Sequence, residues 1–215
     1  MSRDYVWYPS FGEIPGLSYV TPDFVDPARL RRSSARPEIH RYKGADGNEF
    51  VAATWPGGTS QSPASGHIVF DQVANLDTLR RRTAEALELP GTASDYHFAL
   101  MGAADVIHSR RREATWALEE VERLCWLDGR LIELRPDDNE NDLDLRQVGQ
   151  RCFNHLLSLY QREGYWLEAL QVADRATAVL APMSRSPDFD PRVHFRELGA
   201  ELKTRIATLE SGAVC

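Results

Sequence analysis

The sequence predicts an all-α protein built from antiparallel helical hairpins, with an irregular arm ahead of them. Three observations carry this expectation. From residue 71 onward, apolar residues recur at three- and four-residue steps. That periodic stretch is interrupted at Pro90-Gly91, Pro136, Gly164 and Pro182, and a new helical pattern follows each interruption. Before it, prolines at 9, 15, 22, 27, 37, 56 and 63 leave no room for a long helix. The expected organisation is therefore an arm over 1–68 and a helical domain over 69–215.

Within the arm, Tyr5, Trp7, Tyr8, Phe11 and Tyr19 give an aromatic content foreign to disordered tails, so the arm is expected to lie against the helices. IHRYK (39–43) and NEFVAATW (48–55) read as two short strands joined through GADG, a β-hairpin pattern. TWPGGTSQSPASG (54–66) reads as an exposed, flexible loop.

The first helix carries Val73, Leu76, Leu79, Thr83 and Ala86, with Asp71 as its expected N-cap. Ser94 is the expected cap of the second, whose stripe is Tyr96, Leu100, Ala103 and Ile107. A third runs from about Glu113 to Leu134 on Val121, Leu124, Leu127, Leu131 and Leu134. The acidic connector DDNENDLD (137–144) leads to a fourth over about 145–162, broken by Gly164. A fifth spans about 167–181, and a sixth uses Phe195, Leu198, Leu202, Ile206 and Leu209. Six helices joined by short connections make antiparallel neighbours, as a bundle or as stacked hairpins.

YQREGYWLEALQVADRA (160–176) places alanine at 169, 173 and 176, small residues of the kind a helix needs where it presses closely on its neighbour. The stretch resembles a tetratricopeptide repeat, whose hairpin carries W-x2-L-G-x2-Y, then A-x3-F, then P. Phe153, Leu156 and Tyr160 stand at the first-helix positions, Gly164 in the turn, and Ala169 and Ala176 at the small positions. Leu157 replaces the glycine, Ala173 replaces the bulky aromatic, and Pro182 comes one residue late. Phe195, Leu198, Gly199 and Leu202 repeat the first half of the pattern 42 residues after Phe153. LIELRPDDN (131–139) is similar to the end of a repeat's second helix.

The resemblance covers roughly the C-terminal half of the chain, and it implies a stack whose concave face receives a peptide or another protein. It places the polar stripe Arg151, Asn154, Ser158, Gln161 and Arg162 in that groove, opposite the packing residues Phe153, Leu156, Leu157 and Tyr160. Two arginines and an asparagine there suit an acidic segment or a chain-terminal carboxylate. The plain alternative is an ordinary solvated face on a generic helical bundle.

A net charge of −7 argues against a dedicated nucleic-acid binder. The 23 arginines against two lysines are explained by GC-rich codon usage, as in a GC-rich bacterial genome. One basic run stands out: Arg29, Arg31, Arg32, Arg36, Arg41 and Lys43 against a single glutamate, a candidate patch for nucleic acid or an acidic partner. The triplets Arg80–Arg82 and Arg110–Arg112 spread their charges around a helix and read as solvated faces.

Signatures of chemistry are absent: there is no phosphate-binding glycine loop, G-x-S-x-G elbow, H-E-x-x-H or kinase motif. Cys152 and His155, at i and i+3, share a helix side, but two ligands do not make a metal site and Cys125 would have to supply a third. Buried thiols and a hydrogen-bonded histidine are expected instead, with no metal and no cofactor. Glu119, Glu120 and Glu122 read as a solvated face, Glu119 pairing with Arg123 at i, i+4. No signal-peptide pattern or membrane-length apolar run is found, which makes a cytoplasmic protein the expectation.

The leading functional expectation is a non-enzymatic adaptor or regulatory module that binds a partner protein, with no membrane contact and nucleic acid disfavoured. The alternative is a helical module of a bacterial transcriptional regulator. SLYQREGYWLEALQVADRATAVL resembles the helical activator domains of some such regulators, but no recognition-helix pattern appears in residues 1–68.

Overall fold

Seven α-helices and two short antiparallel ladders form among the residues that the computed structural model describes, namely 11–25, 37–68 apart from 44, 46 and 48, 74–134, 137–138, 143–182 and 189–212. In chain order they are β1 (Glu38–Lys43), β2 (Glu49–Thr54), α1 (Leu76–Glu88), α2 (Ala93–Ser109), α3 (Ala117–Leu134), β3 (Asp137–Asp138), β4 (Leu143–Asp144), α4 (Leu145–Val148), α5 (Gln150–Glu163), α6 (Trp166–Val179) and α7 (Pro191–Glu210). The fold is all-α. Each long helix packs on the next, α1 on α2, α2 on α3, α3 on α5, α5 on α6 and α6 on α7, as in a stack or bundle of hairpins.

Helix starts follow the residue whose side chain reaches the free N–H groups of the first turn. For α1 that is Asn75, which accepts from Thr78 N at 2.8 Å; the expected cap, Asp71, lies with Val73 outside the described residues. For α2 it is Thr92 rather than Ser94. Thr92 accepts from Asp95 N while Asp95 Oδ2 accepts from Thr92 N, a reciprocal box that needs an acid three residues on, and Ser94 sits buried inside the first turn. α3 starts at Ala117, later than expected, because 110–113 closes as a turn held by paired bonds from Arg110 to Glu113 at 2.8 and 2.7 Å.

The expected fourth helix is split by Gly149 into α4 and α5. A Cβ at that position would come 2.3 Å from Ile132 Cδ1, so α3 approaches here only because the side chain is missing. α5 ends at Gly164, whose φ of +80° lets Tyr165 N reach Tyr160 O at 2.8 Å, the long bond of a Schellman ending. Asp190 caps α7, with Pro191 at the first helical position. At the two ends of the acidic connector, Asp137 pairs with Asp144 and Asp138 with Leu143.

Ala169, Val172, Ala173 and Ala176 are wholly buried on α6. Ala173 faces α7, where a Cβ built on Gly199 would lie 3.8 Å from its own. That proximity accounts for alanine where the repeat pattern carries an aromatic: a ring would occupy the space α7 fills. On α7, Phe195 and Leu202 are buried as expected, whereas Leu209 is 57% exposed because the helix runs on past its neighbours.

The described part of the arm docks on the helices, while Tyr5, Trp7 and Tyr8 lie outside the described residues. Phe11, Ile14 and Leu17 are buried in the same core as Tyr96, Leu124 and Leu131. Phe11 meets Tyr96 edge-on at 5.3 Å and Tyr19 at 5.2 Å. Arg80, expected to be solvated, lies between the rings of Phe24 and Trp116 at 4.5 and 4.8 Å. The hairpin forms with Arg41 opposite Val51, close to the expected bounds. The 54–66 loop departs from expectation. Trp55 is only 2% exposed, Ser62 Oγ donates to Asp95 Oδ2 at 2.6 Å, and Ala64 N donates to Pro90 O at 3.0 Å, so within it 56–61 and Gly66 are exposed and the rest is not. Among the described residues no helix is long and apolar enough to cross a membrane.

Candidate functional site

α5 buries Phe153, Leu156, Leu157 and Tyr160 on one side, and this leaves Asn154, Ser158, Gln161 and Arg162 on the side open to α7. These four, with Leu157 and Leu198, line an open depression of ≈ 300 Å³. Through Gln161 it continues into a second of ≈ 520 Å³, walled by Trp166, Leu202, Thr204, Arg205 and Glu201. The floor is apolar and the walls are polar. The Arg205 guanidinium lies 3.9 Å over the Trp166 ring, which covers the half-buried start of α6. Among the described residues, Arg162 has no carboxylate within ion-pairing distance.

The fifth residue of the expected stripe does not join them. Arg151 Nη1 donates to Asp105 Oδ2 on α2 at 2.8 Å, and His155 Nε2 donates to Asp105 Oδ1 at 2.7 Å. Residues 151 and 155 are one turn apart, so both reach toward α2 rather than α7. His108, also on α2, brings its ring to 4.7 Å from that of His155. The hydrogen bond from His155, with Arg151 close by, holds the Asp105 carboxyl below its usual range. Burial, then the nearby His155, Arg111 and Arg162, hold His108 below its ordinary 6.5.

The direction for His108 sets a pH dependence. A folded-state value below the unfolded one means that the unfolded chain binds more protons, so stability is intact above about 6.5 and falls as pH drops through the folded value. Melting temperature is expected to decrease between about pH 7.5 and 5.5, and His108→Gln is expected to flatten that decline. An unchanged slope in the variant would remove His108 from the account.

Cys152 and His155 do not converge. Cys152 Sγ, almost fully buried, donates to Gly149 O at 3.0 Å, while His155 turns to Asp105. Burial pushes the Cys152 and Cys125 thiols well above their ordinary range. Among the described residues no group of three His, Cys, Asp or Glu is placed to hold a metal. Of the basic run, Arg29, Arg31, Arg32 and Arg36 lie outside the described residues, whereas Arg41 and Lys43 are exposed on the same face of β1.

The acids of α3 do not form one solvated face: Glu119 is exposed, but Glu120 and Glu122 are not. Glu120 is buried, accepting from Arg123 at 3.0 and 2.6 Å with Arg80 Nε at 3.3 Å. Glu122 accepts from the Tyr160 hydroxyl. Arg123 therefore pairs at i, i+3 with Glu120 and not at i, i+4 with Glu119. A second buried acid, Asp128, accepts at 2.7 Å from His97 Nδ1, both side chains essentially out of contact with solvent. The sequence held a signal for these: Glu120, Leu124 and Asp128 fall at four-residue steps along the buried stripe, where an acid requires a partner.

Fold and groove together define a helical-hairpin protein with an open, polar-walled cleft between two neighbouring helices. Comparison of the chain with protein-family models, with curated proteins and with solved structures finds no match in any of the three.

Proposed function

We propose that the chain is a non-enzymatic interaction protein whose α5/α7 groove receives an acidic segment or the terminal carboxylate of a partner protein. One observation carries this reading. Asn154, Ser158, Gln161 and Arg162 line a single open depression, in which Arg162 has no counter-charge among the described residues. A carboxylate seated there accepts charge-assisted hydrogen bonds from the Arg162 fork, where both partners are ionised, and from the side-chain amides, where only the acceptor is. Arg205, stacked on Trp166, adds a second cation farther along, while Leu157, Leu198 and Leu202 offer apolar contact to the neighbouring residues of the guest.

The test is a set of acidic peptides with free C-termini, titrated against the full chain by fluorescence anisotropy. For those that bind, Arg162→Ala with Asn154→Ala is expected to weaken binding at least about tenfold. Arg151→Ala, whose side chain is engaged by Asp105, is expected to leave it unchanged. Binding by none of the peptides, or equal affinity in the double variant, would sink the reading.

A further inference from the structure

A second hollow, of ≈ 560 Å³, opens where the start of α3, the end of α5 and the start of α6 meet. Its apolar surface comes from Leu118, Leu159, Tyr160 and Tyr165, and Tyr165, in the turn between α5 and α6, is 56% exposed. The two tyrosine rings stand nearly perpendicular, 6.5 Å apart, and form a corner. Around this corner lie Glu119, Glu122, Glu163 and Glu168, and among the described residues no lysine or arginine lines the hollow. Glu122 is engaged by the Tyr160 hydroxyl; among the described residues the other three have no cation in ion-pairing range.

Apolar surface rimmed by uncompensated carboxylates selects its guest by charge. A neutral apolar helix would bury the glutamates without partners, and an acidic one would be repelled. A cation with a flat delocalised face fits both the aromatic corner and the carboxylates, which describes a guanidinium rather than an ammonium. The chain uses that pairing elsewhere: Arg80 on Phe24 and Trp116, Arg175 on Trp126 with Glu133 beside it, and Arg205 on Trp166. At Tyr160 and Tyr165 the aromatic and acidic halves are present and the arginine is missing.

We infer that this hollow is a docking site for an arginine-bearing, partly apolar segment of a partner protein, the guanidinium seated against Tyr165 between the carboxylates. The site lies apart from the α5/α7 groove and takes the opposite charge.

The experiment uses the full chain and three synthetic amphipathic peptides of about twelve residues, identical except for arginine, lysine or glutamate on the polar face, at about 150 mM salt so that diffuse attraction is screened. The arginine peptide is expected to bind, the lysine peptide more weakly, and the glutamate peptide not at all. Glu119→Gln, Glu163→Gln and Glu168→Gln together, all at exposed positions, are expected to reduce arginine-peptide affinity about tenfold or more, and Tyr165→Ala several-fold. The Asn154→Ala/Arg162→Ala variant is expected to bind the arginine peptide normally, which keeps this result separate from the groove. Equal affinity of wild type and the glutamine variant, or of the arginine and lysine peptides, would overturn the inference. So would concentration-dependent self-association of the chain that disappears in the glutamine variant, since the occupant would then be a second copy.

Discussion

Truncating Phe153 to alanine is expected to lower the unfolding free energy by about 3–5 kcal/mol, the range for deleting a fully buried ring. The ring, carried on α5, touches two further helices at once. It is wholly buried, its edge passes 3.4 Å from where a Cβ on Gly129 of α3 would stand, and it meets Phe195 of α7 at 6.2 Å in a near-perpendicular contact. A collapse that filled the void would have to move α3 and α7 together, so the cavity term is expected to persist. Urea denaturation followed by circular dichroism reads the change, and Phe153→Leu serves as the milder control. A loss below about 1 kcal/mol would mean that the site collapses freely and that the three helices are not braced on this ring.

Asp128→Ala is the second large effect, expected at about 1–3 kcal/mol, because it leaves the donor on His97 Nδ1 without a partner in a region closed to water. A matched substitution separates loss of the partner from loss of volume. Replacing both His97 and Asp128 by leucine removes the orphaned polar groups along with the pair, and the double variant is expected to be more stable than Asp128→Ala alone. Strictly additive single and double changes in the same denaturation assay would show that the two side chains do not act as a unit.

The helical stripes were legible because burial repeats with the helix period: Leu100, Ile107, Leu124, Leu131, Leu156 and Phe195 are buried where the spacing puts them. The alanines at 169, 173 and 176 announced a close helix approach by size alone. Asn154, Ser158, Gln161 and Arg162 could be grouped in advance for the same reason, since positions opposite a buried stripe stay accessible. What could not be read was the choice between near-equivalent local partners. Thr92 and Ser94 are both competent caps, and only Thr92 has an acid three residues on. Arg151 and Arg162 look alike on the helix, and only the placement of α2 brings Asp105 to one of them. Arg80 belongs to a triplet whose members look alike in sequence, and its place between two rings depends on Phe24, more than fifty residues earlier in the chain. Such choices are made by residues far apart in sequence, beyond the reach of local periodicity.

The contact of the arm with α3 bears on how the molecule is made. Arg130 Nη2 donates to Gly16 O across 114 residues, and Phe11, Ile14 and Leu17 reach the core only once the helices that enclose them exist. At the usual pace of translation, about 5–20 residues per second, the arm waits roughly 6–23 s between its own synthesis and that of its dock. Throughout that interval the part of their seat that α3 supplies is missing. During synthesis the arm is thus an apolar segment open to whatever chaperones meet the nascent chain, and its shelter at that stage is expected to affect the yield of folded protein.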